Sequence, residues 1–363
     1  MNLAALIVTG DPALADGLLR LAAAADAHAE VAHGADEAGP VWTWPALILV
    51  GADVAADVAA AGLQRRPGVV LVTGDGTGDA SSEAYRLAVE AGAQDVVALP
   101  DHEEWLINAF AAASEPEGGW ATTLCVVGSR GGAGASVLAT ALGLGAAGQG
   151  LRTLLVDADP FGGGVDLMLG LEEHEGVRWH DLAERRGRLN TATLRETLPH
   201  SGDLSVLSWR RGEPVPVSAE AVRSLFDAAV RGFDLVVVDV PRYPGDVGRA
   251  ALRAADVTFL LVPAEVRATV AADGLAAALR RHTSDVRLVV QGPAPGGLTA
   301  AAVTQALDLP SAGSFERDRR LPAAIDEGGL ERACRRGPLT DFCAGVLADL
   351  ALQPYAYREE AAA

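Results

Sequence analysis

The stretch "VVGSRGGAGASVLATALG", residues 126–143, decides the fold. An apolar run ends at Val127, a glycine-rich loop follows, and a small-residue helical run begins after it. Strand, glycine loop and helix in that order bring consecutive backbone amides onto a phosphate at a helix N-terminus. Gly131, Gly132 and Gly134 allow close approach, Ala133 and Ala135 complete the loop, and Ser136 offers a hydroxyl to Mg2+. Where such a loop carries a lysine, this one has Ala135. Three readings stand at this point: a working nucleotide site, a silenced one, or a glycine turn.

Two carboxylate sites further along argue against the bare turn. "LLVDADP" places Asp157 and Asp159 at the end of a buried strand. "FDLVVVDVP" places Asp239 where a strand-terminal Asp would hold a magnesium shell. Each alone is an ordinary strand-end Asp. The loop and both sites in this order point to a nucleotide-binding fold.

Around this centre, apolar runs alternate with helical stretches along the whole chain. In the first third the strands are expected in "LAALIVT", "AEVAHG", "PALILVG", "GVVLVTG" and "QDVVALP". After the polar "SEPEGGW", residues 114–120, they are expected in "TTLCVVG", "RTLLVDAD", "LSVLSW", "FDLVVVDV", "VTFLLVP" and "VRLVVQG". Strands alternating with helices give parallel sheets, and nearly continuous apolar strands are buried on both faces. The predicted class is α/β: a five-stranded, receiver-like (flavodoxin-like) parallel domain over residues 1–113, a linker over 114–120, a larger P-loop domain with helices on both faces of a mainly parallel sheet over 121–353, and a tail over 354–363. "GPLTDFCAGVLADLALQ" reads as a late packing helix.

The 363 residues are half hydrophobic and carry a formal charge of -19. Such a surface repels phosphate backbones and anionic lipid, so no specific nucleic-acid binding and no membrane insertion are expected. The arginine pairs 185–186, 319–320 and 335–336 read as solvated or ion-paired surface. The three cysteines, Cys125, Cys334 and Cys343, lack metal or disulfide spacing, and the histidines form no ligand-like cluster. No run is a convincing membrane span, and the N-terminus lacks a secretory leader's basic start and cleavage site, so a cytoplasmic protein is expected.

"AVEAGAQDVVALP", residues 88–100, resembles the end of a response-regulator receiver domain. That resemblance implies an acidic pair after the first strand, a phosphorylated Asp after the third, Thr or Ser after the fourth and Lys after the fifth. Asp11 and Thr73 match, but Gly51 stands near the phosphoacceptor position and Leu99 at the lysine. Asp53 comes two residues late and is expected to point elsewhere. A receiver-like domain that docks or dimerises, without phosphorylation, is the expectation.

From the glycine loop onward the chain resembles the MinD/ParA family of deviant-Walker P-loop ATPases, whose loop reads KGGxGK[ST] and is followed by a DxD strand and a Walker B Asp. The receiver-like plus ATPase arrangement is similar to CpaE/TadZ proteins of pilus-secretion clusters. "GVRWHDLAERRGRL", "LSVLSWRRGEP" and "VVVDVPR" resemble the actinobacterial CpaE-like group that includes septum site-determining Ssd proteins. The resemblance implies a homodimer closed over ATP and Mg2+ that positions a partner machine, pilus or secretion apparatus or division septum. Arg130 takes the place of the signature lysine, which in that family reaches across the dimer. Asp157 and Asp159 match the pair that positions water and supports the metal; Ser136, Asp159 and Asp239 match the metal site. Gln291 stands where the family often has an adenine-contacting Asn, and reads equally as a plain loop residue.

Ala135 removes a charge-assisted contact of about 1.5–3 kcal/mol. Nucleotide affinity would fall roughly ten- to a hundredfold, and hydrolysis further. The readings left open are a nucleotide-binding scaffold with impaired or absent turnover, a slow dimeric ATPase in which Arg130 compensates, and a DNA-partitioning protein, which the negative charge disfavours. The last helix carries Asp341 and Asp349 and no lysine, unlike a basic lipid-binding helix, so any membrane recruitment is expected through a partner.

Overall fold

The computed structural model describes residues 3–74, 82–114, 121–183, 189–293, 296, 298–350 and 352. Residues 115–120 of the expected linker, the arginine pair 185–186 and the expected tail lie outside the described residues. The chain divides into two compact units, residues 1–117 and 118–363.

The first unit is a five-stranded parallel sheet in the order β2-β1-β3-β4-β5, built from β1 Ala5–Val8, β2 Ala29–Ala32, β3 Leu47–Gly51, β4 Val69–Thr73 and β5 Asp95–Ala98. This is the flavodoxin-like order, with the topological switch between β1 and β3. All five strands fall within the apolar runs of the sequence. Leu6, Ile48 and Leu71 face one helical layer, and Ile7, Leu49 and Val70 the other.

At the carboxyl end of this sheet the receiver positions have been put to other uses. Asp11 caps the helix Pro12–Ala24, accepting from the Ala13 amide at 2.8 Å. Asp53 does not point away, as its offset suggested. Its carboxylate turns back over Gly51 and accepts from the Thr9 hydroxyl at 2.9 Å and the Gly10 amide at 2.7 Å. The space a side chain at Gly51 would take is filled: a Cβ there would overlap the Asp53 carboxylate and lie 2.8 Å from Thr9 Oγ1.

The second unit has eight strands in the order β13-β12-β11-β6-β10-β7-β9-β8. They are β6 Thr122–Gly128, β7 Thr153–Asp157, β8 His200–Ser201, β9 Leu204–Leu207, β10 Leu235–Val240, β11 Val257–Pro263, β12 Val286–Gln291 and β13 Ser311–Phe315. Among the described residues only the β8–β9 pair is antiparallel. The two-residue β8 and the edge strand β13 escaped the apolar pattern. "SAGSF" buries only Phe315 fully, because an edge strand is half covered.

The helices sit on both faces, each over its own apolar core. "ASVLATALGLGAA" forms the helix Ala135–Ala147 and packs its buried Leu138, Leu142 and Ala146 under the sheet. The late helix Pro338–Asp349 covers that same layer through Cys343, Val346 and Leu347. Cys125 is a core residue of β6, and burial pushes its thiol pKa well up. Arg320 pairs with Asp318, and Arg335 lies 3.7 Å from Glu331. After β6 the chain crosses to β7 and leaves β10 to be inserted between them. That gap in strand order opens a crevice at the carboxyl ends of β6 and β10, where ligands bind in such sheets.

Gly51→Ala is expected to expel the Asp53 carboxylate and cost about 1–2 kcal/mol, the worth of its lost hydrogen bonds. Asp53→Ala should cost a similar amount, and the double variant no more than either single change. Urea unfolding of the full chain checks this; additive losses would show that Gly51 matters for another reason.

Candidate functional site

The loop between β6 and the helix Ala135–Ala147 folds tightly on itself. A Cβ on Gly128 would come within 3.3 Å of Ala133, Ala135 and the Arg130 carbonyl. Gly132 and Gly134 have φ of +67° and +95°, values that disfavour any side chain. The amides of Gly134, Ala135 and Ser136 meet no acceptor among the described residues. Helix N-termini leave such donors free, and successive free amides make an anion-binding concavity.

Two cavities flank this loop. A cleft of about 590 Å³ is lined by residues 130–137 together with Asp159, Phe161, Asp239, Arg242 and Tyr243. A second, of about 320 Å³, lies across Gly132 and Gly134 and is walled by Val137, Gln291, Phe315, Leu321 and Pro322. Gln291 is beside the loop, its Nε2 3.8 Å from where a Gly134 Cβ would be. The first cleft carries the Asp159 and Asp239 carboxylates, and the second mixes its apolar residues with Arg317, Asp318 and Asp326.

The carboxylates are set by strand register. Asp157 and Asp239 are directly paired residues of β7 and β10, both buried. Burial lifts Asp239 to about 7, the neighbouring Asp157 charge adds to this, and a hydrogen bond from Ser136 opposes it. Burial likewise lifts Asp157 to about 6, against bonds from the amides of Asp159 (3.0 Å) and Val165 (3.2 Å) and from Ser208 (3.1 Å). Asp159 is half-buried on the cleft wall and accepts from the Phe161 amide at 3.0 Å.

The structure therefore brings Asp159, Asp239, Ser136 and the glycine loop around one cleft, with Asp157 beneath it and Gln291 on the far side. Arg130 is at the cleft mouth but turned aside. Its guanidinium meets Glu265 at 3.0 Å and the Gly131 carbonyl at 2.9 Å. Its Nε is buried without a partner among the described residues. Ala135 offers nothing beyond its Cβ. The chain has no lysine anywhere: all 29 basic side chains are arginine.

Several site residues were quoted in the sequence without a role. The indole N–H groups of Trp179 and Trp209 both donate to the Asp157 carbonyl, at 2.7 and 3.0 Å. The rings stack with centroids 5.5 Å apart. Ser208 bridges the Asp157 and Asp166 carboxylates, 3.1 Å from each, and Asp166 pairs with Arg211 at 3.0 Å. Trp179, Ser208, Trp209 and Arg211 lie in "GVRWHDL" and "LSVLSWRRGEP", whose specificity was visible but whose target was not.

Two buried acids with raised pKa bind protons that the unfolded chain has already released near pH 4. Their contribution to ligand-free stability therefore falls as pH rises from about 4 to about 7. Asp239→Asn removes one ionisation and should raise the thermal midpoint by several degrees at about pH 8, but by much less at about pH 5. Equal shifts at both pH values would mean that Asp239 is not a buried, proton-holding acid.

Comparison with known proteins agrees with this architecture. Residues 8–121 match the family described as Rv3660c-like, CheY-like N-terminal domain. Residues 121–282 match the family described as cellulose biosynthesis protein BcsQ. The Mycobacterium tuberculosis protein Rv3660c is 40% identical over 344 residues, spanning 93% of this chain and 95% of its own. The ParA family ATPase from Chlorobium tepidum superposes with a TM-score of 0.56 at 18% identity, over 62% of this chain and 99% of that one. MinD from Pyrococcus horikoshii, solved with Mg-ADP, gives 0.52 at 14% identity, over 63% and 97%. At these identities the likeness to the solved structures is one of fold. The chain belongs to the family of Rv3660c, in which a CheY-like domain precedes a P-loop domain of the MinD/ParA type.

Proposed function

We propose that the second unit binds Mg-ATP weakly and that the protein is a nucleotide-responsive positioning or regulatory scaffold, with hydrolysis impaired or absent. The observation that carries this reading is the set of free amides at Gly134, Ala135 and Ser136, opening on a cleft that also holds Asp159 and Asp239. An uncommitted donor set at a helix N-terminus suits phosphate. The cavity across the loop, with Phe315 and the Gln291 amide in its wall, suits a base.

Magnesium fits the same residues. Among the described residues no three Asp, Glu, His or Cys side chains form a metal cage. Mg2+ does not need one, since it takes one or two carboxylates and completes its shell with phosphate oxygens and water. Ser136 and Asp239 would hold it, the nearby hydroxyl already favouring the charged form of the carboxylate, with Asp159 on the same wall. When bound, the ion would offset phosphate charge.

The expected assembly is a homodimer. Phe161 and Tyr243 on the cleft wall are 85% and 82% exposed, and Val266 and Val270, just beyond Glu265, are 69% and 71% exposed. An apolar rim of this kind around a charged cleft suits closure by a second copy. The receiver-like unit would dock or dimerise without taking a phosphoryl group, because Asp53 already fills the space over Gly51. The partner would be a pilus, secretion or division machine of the kind that CpaE/Ssd-like proteins organise. No helix among the described residues is long and apolar enough to cross a membrane, so recruitment to one would come through that partner.

A slow ATPase is the second reading, and Arg130 favours it. Breaking its bond to Glu265 would free a guanidinium at the mouth of the cleft, for its own site or for a partner's. Titration calorimetry with Mg-ATP and a turnover assay separate the two. Binding without turnover is expected. Turnover abolished by Asp159→Ala would replace the scaffold with the slow enzyme, and absence of binding at millimolar ATP would remove both. Ala135→Lys should tighten ATP roughly ten- to a hundredfold, the worth of one charge-assisted contact.

A further inference from the structure

We propose that Arg242 is the phosphate-binding cation of the cleft, supplying from the β10 side the charge that Ala135 cannot supply from the loop. This rests on the nucleotide reading above and names the residue that would make a polyphosphate tolerable there.

The need follows from charge. The cleft wall carries Asp159 and Asp239, with Asp157 buried beneath. A triphosphate brings further negative charge into a partly dry site, where unscreened repulsion is large. The free amides contribute only partial charges. Mg2+ would offset part of the remaining charge, and a fixed side-chain cation the rest; among the cleft residues only arginines can supply one.

Two arginines line the cleft, Arg130 and Arg242. Arg130 is committed to Glu265 and to the Gly131 carbonyl. Arg242 is not. Among the described residues it meets no carboxylate, and its only described partner is the Tyr243 ring, 5.9 Å from its guanidinium carbon. It lies three residues beyond Asp239, on the turn that Pro241 begins and the helix Gly245–Ala254 ends. That turn faces the glycine loop across the cleft.

Chemistry favours an arginine in this place. A guanidinium is always charged, is less strongly hydrated than an ammonium, and grips phosphate oxygens bidentately. It therefore serves from the opposite wall, where a lysine at position 135 would have served from below. The cost is exposure: an arginine on an open turn must be ordered when the phosphate arrives, which is consistent with weak binding.

The test is calorimetric titration of the full chain with Mg-ATP, Mg-ADP and AMP. Arg242→Gln should weaken ATP at least tenfold and leave AMP within about twofold. Arg242→Lys should fall between. Adding Ala135→Lys to Arg242→Gln should restore ATP binding, because a charge returns by the other route. Unchanged ATP affinity in Arg242→Gln, with the parent chain binding, overturns this inference and leaves the nucleotide reading standing. Equal losses for ATP and AMP also overturn it, since they mark a general disturbance of the pocket. A parent chain that binds no ATP overturns the nucleotide reading itself.

Discussion

The site depends on one register: Asp157 of β7 lies directly opposite Asp239 of β10. Parallel pairing puts both carboxylates at the same level, at the end of a sheet covered on both faces. Neither acid has enough water to ionise cheaply, so each is raised toward neutrality by burial. The surroundings offset part of that cost. Two amides and Ser208 bond the Asp157 carboxylate, and the nearby Ser136 hydroxyl favours ionised Asp239. Two tryptophans fix the Asp157 carbonyl. A hydrophobic sheet end would be more stable without these acids. That two such acids sit side by side here, with donors directed at them, is what supports the proposed cation-dependent ligand.

Much of this was legible because it is local. The glycine loop, the Ser six residues after Arg130 and the strand-end carboxylates are short-range patterns, and their order along the chain encodes the sheet. The strands of the first unit were legible for the same reason: buried parallel strands are continuous apolar runs. What escaped was non-local or half-buried. Glu265 lies 135 positions from Arg130, and Trp209 lies 52 from Asp157; no periodicity announces such pairs. β13 is an edge strand whose small residues carry little hydrophobic signal. Asp53 was misread because its offset along β3 was judged without the empty space at Gly51, into which its carboxylate folds.

Both units depart from the residue patterns their resemblances imply, through small changes at the carboxyl ends of their sheets. In the first, Asp11 has become a helix cap and Asp53 bonds Thr9 and Gly10. Its acidic groups are spent on structure. In the second the opposite holds: the cradle amides are uncommitted, and Asp159 and Ser136 remain on the cleft wall. The same physical question, whether polar groups are satisfied internally or left open, underlies the two different roles proposed for the units.

The absence of lysine sharpens how the second unit can work. A lysine in the loop would be pre-placed beneath a phosphate, whereas the arginines at positions 130 and 242 would approach one from the rim. Arg130 is already balanced by Glu265, so freeing it costs an ion pair about one-third exposed on the arginine side. Such a pair is worth little in water, about 1 kcal/mol or less. A second copy that desolvated this rim would change that balance, since the apolar Val266 and Val270 border Glu265. A lower local dielectric strengthens the attraction between paired charges, so such closure would hold Arg130 on Glu265 and leave Arg242 as the cation facing the cleft.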